Sequence, residues 1–238
     1  MALSVVLVTG GFDHKIRFWE ATTGICSRTL RFGESQVNKL QISDNKLHVA
    51  AGGNPHIQIY DVNSTNDNPL QTFEGHTHNV TDLGFQKDSK WLYSCSEDGT
   101  MKIWDMRAPT CQISNDNRSA LNTIQLHPNE TEIITGDQLG CLKVWDMHTN
   151  TCRFEDVPQA DVPVRSISIV SQSRLLISSI MNSIALDKIL VGCVCLYLNF
   201  KFVCSRVLFC FVHAFEVKRC QHIGGGTSQR QSVLIFTK

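Results

Sequence analysis

The chain has 238 residues, 42% of them hydrophobic, with 22 Lys/Arg balanced by 22 Asp/Glu, enough to bury a sizeable core in one domain or one and a half. The zero net charge conceals an asymmetry: from Lys188 onward seven cations (Lys188, Lys201, Arg206, Lys218, Arg219, Arg230 and Lys238) face Glu216 alone, leaving the body at −6 and the tail at +6. An acidic body argues against a nucleic-acid-binding face, and ten cysteines without a paired framework point to reduced, cytosolic thiols.

Residues 1–8 are apolar but lack a basic leader, and they run into Thr9-Gly10-Gly11, so they read as a strand and not a signal peptide. The next strand ends in Phe18-Trp19, and its ending recurs as Ile59-Tyr60-Asp61, Ile103-Trp104-Asp105 and Val144-Trp145-Asp146. The aromatics Trp19, Tyr60, Trp104 and Trp145 are spaced by 41, 44 and 41 residues, a period of about 40–45 that marks a radial array of small sheets. Six positions before each lie Asp13, Asn54, Asp98 and Leu139, so a turn carboxylate is present twice, softened once and lost in the fourth unit. Alternating strands stand in front of the later units at Val37–Ile42, Val80–Phe85, Leu121–Leu126 and Val164–Ile169, as expected of strands with one buried side.

The most complete unit runs from Phe73 to Arg107. It opens on Gly75-His76, passes through strands ending at Phe85 and Ser96, turns at Glu97-Asp98-Gly99, and ends on Trp104-Asp105. That order is the signature of a WD-repeat propeller blade. Asp98, His76, a strand hydroxyl (Ser94 or Ser96) and the Trp104 indole can satisfy one another inside such a sheet, where each alone would be costly to bury. Gly99 allows the positive φ of a tight hairpin. These residues are expected to form a structural clamp and not a catalytic set, with Trp19, Tyr60 and Trp145 as the anchors of the other blades.

The first unit has no inner strand ahead of it, and in closed propellers the chain's other end commonly supplies one. Here that end looks unsuited. The fifth unit begins well, yet offers Leu186-Asp187-Lys188-Ile189 where an aromatic is due, so the repeat is expected to break between Ser179 and Lys188. All six prolines and all four tryptophans precede residue 164, while five of the ten cysteines follow 192. Residues 1–179 therefore read as a partial WD-repeat propeller, and 180–238 as an aberrant, non-repeat, hydrophobic and Cys-rich tail, such as a retained intron would encode. Its longest charge-free piece, Ile189 to Phe200, is too short to span a bilayer as a helix, so no integral membrane insertion is expected.

The remaining constellations carry no chemistry. Gly224-Gly225-Gly226-Thr227 lacks the lysine of a phosphate-binding loop. Cys193, Cys195, Cys204, Cys210, His213, Cys220 and His222 lack paired zinc-ligand spacing. The nine histidines are scattered and no Ser/His/acid set has local context. No enzyme activity, cofactor, metal or small-molecule substrate is expected, and the sequons at Asn63, Asn79, Asn117 and Asn129 matter only in a secreted protein.

The stretches Gly11–Trp19, Gly24–Thr29, Ser35–Asn38 and Ala50–Asp61, with Leu126–Asn129, Gly136–Gly140 and Val144–Asp146, strongly resemble the small WD-repeat subunit of target-of-rapamycin (TOR) kinase complexes, the G-protein β-subunit-like protein. The resemblance covers about residues 3–179. It implies a seven-bladed, all-β propeller that is not an enzyme, binds the catalytic domain of the TOR kinase beside other TOR-complex subunits, and supports nutrient and growth signalling in the cytoplasm. This chain is expected to provide only four to five of the seven blades. The motifs do not identify the partner-binding residues; His56, Arg107, Arg118 and Asp137 are loop candidates. Two other readings stand beside this one: a substrate receptor of a cullin-based ubiquitin ligase, suggested by Trp104-Asp105-Met106-Arg107, and a non-functional truncated product.

Overall fold

The computed structural model describes residues 5–108, 110–157, 161–171, 174–179, 183–186, 199–200 and 232–237. Strands β1 (Val5–Gly10), β2 (Lys15–Glu20) and β3 (Cys26–Arg31) begin the first sheet. The second holds β4 (Lys39–Ile42), β5 (His48–Gly52), β6 (Ile57–Asp61) and β7 (Gln71–Phe73), and the third β8 (Val80–Phe85), β9 (Trp91–Ser96), β10 (Thr100–Asp105) and β11 (Cys111–Asp116). The fourth holds β12 (Leu121–Leu126), β13 (Glu132–Asp137), β14 (Leu142–Asp146) and β15 (Thr151–Asp156), and the fifth β16 (Val164–Ser171), β17 (Arg174–Ser179), β18 (Ser183–Leu186) and β19 (Asn199–Phe200). Strand β20 (Ser232–Thr237) returns to the first sheet, giving five four-stranded antiparallel sheets among the described residues.

The sheets are copies of one another in register. The first two hairpins pair Leu7 with Trp19 and Val49 with Tyr60; the next two pair Leu92 with Trp104 and Ile133 with Trp145. Turn backbones repeat as well: His14, Gly99 and Gly140 hold the same left-handed position between the second and third strands of their sheets, at φ 60, 80 and 89°. Glycine takes that conformation without a Cβ penalty.

Two expectations are corrected here. The repeat continues past Ser179, because β18 pairs with β17 and Leu186 faces Leu175 at the register of the anchor aromatics. Leucine has no indole N–H, so the motif is lost while the period and the backbone persist. The chain's far end also does supply the missing inner strand: β20 lies against β1, from Val5 opposite Thr237 to Gly10 opposite Ser232. Parts of the 180–238 tail thus belong to the sheets. The 189–198 part of the apolar run, the Gly224–Thr227 loop and the tail's Cys/His set lie outside the described residues.

The inner strands of successive sheets are neighbours, β20 beside β4, β4 beside β8, β8 beside β12 and β12 beside β16, and the core lies between the sheets. Val8, Ile16, Phe18, Leu40 and Tyr60 fill the first interface; Ile57, Phe73, Leu83 and Trp104 the second. Met101, Leu121, Ile133 and Trp145 fill the third, and Ile134, Val144 and Ile167 the fourth. Each fully buried aliphatic or aromatic side chain contributes about 1.5–3 kcal/mol. Close approach is set by glycines: a Cβ on Gly52 would lie 2.9 Å from Val80 Cγ1, and one on Gly136 would lie 2.5 Å from Val164 Cγ1.

Candidate docking surface

In the third sheet, one His76 ring nitrogen meets Asp98 Oδ2 at 2.9 Å and the other meets Ser94 Oγ at 2.8 Å. The Trp104 indole donates to the same hydroxyl at 2.9 Å. The hydroxyl in this contact is Ser94; Ser96 Oγ instead accepts the backbone N–H of Asp98 at 3.1 Å. Asp98 also accepts from Thr100 Oγ1 at 2.6 Å and from the backbone N–H groups of Thr77 and Thr100. Burial alone would raise its carboxyl, but these hydrogen bonds outweigh it and hold Asp98 far below the usual carboxylate range.

The other sheets keep parts of this arrangement. Trp19 donates to Thr9 Oγ1 and Trp145 to Thr135 Oγ1, each at 2.9 Å. Tyr60 lacks the indole and points its hydroxyl at Gln58 Oε1, 2.6 Å away. In the fourth sheet the acid is displaced and not lost. Buried Asp137 accepts the backbone N–H groups of Leu139 and Cys141 at 3.0 and 2.8 Å, and Asn117 Nδ2 at 3.1 Å. Asp137 is therefore removed from the exposed loop candidates. Its aim is inward because its turn has three donors to satisfy.

Asp82 links three sheets. Its carboxylate pairs with Lys39 of β4 at 3.0 Å and accepts from Thr123 Oγ1 and the Ile124 N–H of β12. Among the described thiols, Cys26, Cys111 and Cys152 are exposed, while burial raises Cys95 well above its ordinary value and Cys141 to about 12. Among the described residues no group of His, Cys, Asp and Glu is arranged to hold a metal ion, and no helix is long and apolar enough to cross a membrane.

A concavity lies where the turns of the first two sheets meet the connections that lead into β4 and β8. Its volume is about 730 Å³, and Phe12, His14, Phe32, Gln36, His56 and Asn79 are among its lining residues. Phe32 is buried, whereas Phe12 is 44% exposed at the rim. His56 is the one loop candidate that reaches this cavity, and its Nδ1 is buried without a hydrogen-bond partner. Arg118 is exposed elsewhere. Arg107 follows the far end of β10, where its exposed guanidinium grips Asp105 at 2.7 Å and holds that half-buried carboxyl at about 2. The sequence motifs gave no role to Phe12, Phe32 or Gln36; the signal available was that such turn residues are not required by the blade itself.

Residues 67–105, which take in β7 of the second sheet and β8 to β10 of the third, match the family model "WD domain, G-beta repeat". The fold is that of a WD-repeat β-propeller. The chain is 51% identical over 175 residues to "Target of rapamycin complex subunit wat1" of Schizosaccharomyces pombe and 51% identical over 176 residues to "Target of rapamycin complex subunit LST8-1" of Arabidopsis thaliana. It is 40% identical over 176 residues to the "Non-functional target of rapamycin complex subunit LST8-2" of Arabidopsis thaliana. These matches cover 74% of this chain but only 56%, 58% and 56% of the relatives in turn, so the chain spans little more than half their length. A chain of the "Crystal Structure of Mitotic Checkpoint Complex" superimposes with a TM-score of 0.70 at 19% identity, covering 76% of this chain and 57% of that one, which speaks for the fold alone.

Proposed function

We propose that the chain is a non-catalytic, cytoplasmic subunit of a TOR kinase complex that binds the kinase catalytic domain and supports its activity. The observation that carries this reading is its 51% identity, over 175 and 176 residues, to two named TOR-complex subunits. Identity at about half of 175 positions is more than the few glycines and aromatics that a blade requires. The cavity between the first sheets is the docking place: it is concave, partly apolar and ringed by carboxamides and imidazoles, the mix that suits a protein partner.

Affinity purification of the tagged full chain from cells tests this. Co-purification of the TOR kinase supports the reading. Recovery of a ubiquitin-ligase adaptor without the kinase would replace it, and recovery of neither would place the chain with its non-functional relative.

A further inference from the structure

Four of the five sheets take their inner strand from the sequence immediately ahead of the next strand, whereas the first takes it from β20, across more than two hundred residues. The contact is a six-position antiparallel ladder, from Val5 opposite Thr237 to Gly10 opposite Ser232. Without β20, β1 would present the unpaired backbone of a sheet edge beside the core residue Val8, an opening for another strand. The bonds of such a ladder are main-chain bonds, so an identical strand satisfies them equally well whichever molecule provides it.

From this we infer that the inner edge of β1 is a strand-accepting site whose alternative occupant is β20 of a second copy, giving a strand-exchanged dimer. Exchange of an identical element creates a dimer at little energetic cost. Strand β20 belongs to the same chain as β1, so the intramolecular pairing does not depend on protein concentration, whereas pairing between two chains does. The strand therefore occupies its own chain at low protein concentration and exchanges as concentration rises. This inference does not depend on kinase docking.

Two differently tagged full-length chains, one carrying Val8→Cys and the other Leu234→Cys, test it, because these positions face each other across the ladder. Mixed from micromolar towards millimolar concentration, oxidised and digested for mass spectrometry, they are expected to give an interchain disulfide joining positions 8 and 234 whose yield rises with concentration above any background from the exposed Cys26, Cys111 and Cys152, while wild type mixed with Leu234→Cys gives only that background. Val6→Cys with Phe236→Cys, a second facing pair, guards against loss of folding at the buried Val8. Bonds formed only when both cysteines lie in one chain, at every concentration and with both pairs, would overturn the inference.

Discussion

Asn117 stands to Asp137 in the fourth sheet at the two positions that His76 and Ser96 occupy in the third: each amide or imidazole lies four residues before the first paired residue of its inner strand, and Leu121 faces Asp137 as Val80 faces Ser96. The two sheets thus solve one problem with different chemistry. The third closes its turn with a carboxylate in the turn and an imidazole, the fourth with a carboxylate at the strand end and a carboxamide.

The clamp predicts an asymmetry between its two serines. Ser94→Ala leaves the Trp104 indole and a His76 nitrogen without their shared partner, a loss of about 1–3 kcal/mol for a buried group. Ser96→Ala removes one acceptor of a backbone N–H and costs less. Urea unfolding of the two variants measures the difference; equal midpoints would contradict the assignment.

In the fourth sheet, Asp137→Ala is expected to destabilise by about 2 kcal/mol, since the buried Cys141 N–H, the part-buried Leu139 N–H and Asn117 lose their acceptor. Leu139 is exposed, so Leu139→Asp, which writes the absent turn carboxylate back, should stay within about 0.5 kcal/mol of wild type. Thermal unfolding of both variants checks the ordering.

Acid should expose the contribution of Asp98. Its folded value lies below the ordinary carboxylate value of about 3.9, so its stabilisation is present above that pH and is lost as pH falls towards the folded value. Wild type should therefore lose more stability between about pH 5 and 3 than Asp98→Asn. Asp105 and Asp146 are also lowered, but they are the same in both proteins and cancel from the comparison. Parallel pH profiles would contradict the prediction.

Packing between sheets makes Gly136→Ala costly, by about 1–3 kcal/mol, because the new methyl would meet Val164 Cγ1 at 2.5 Å and Thr123 Cγ2 at 3.0 Å. Gly24 has nothing within 4 Å, and a Cβ there meets only the conformational penalty of φ 72°. Comparing Gly136→Ala with Gly136→Ala/Val164→Ala separates overlap from other effects, since the second change should restore part of the loss.

The aromatic period made the first four sheets legible, because an indole at a fixed register needs a hydroxyl across the hairpin and both are written in the sequence. What escaped was chemistry that moved. Asp137 lies eight residues before Trp145 and not six, so a fixed offset passed over it, although Asn117 marks the same step ahead of Leu121 that His76 marks ahead of Val80. Leu186 keeps the period without the N–H that defines the motif. Strand β20 carries no motif, since a backbone ladder asks only for extended, apolar residues; the run Val233-Leu234-Ile235-Phe236 was its single signal. The cavity was hidden because it is built by turns from two sheets and the connections into β4 and β8.

Binding of the purified full chain to the purified TOR kinase catalytic domain tests the account most directly, using wild type, the cavity variant Phe12→Ala/His56→Ala and Arg107→Ala at the opposite ends of the strands. Wild type and Arg107→Ala should bind alike, and the cavity variant at least about tenfold more weakly, a loss of about 1.4 kcal/mol, with unchanged thermal unfolding. Equal binding by all three, or no binding by the wild-type chain, would contradict it.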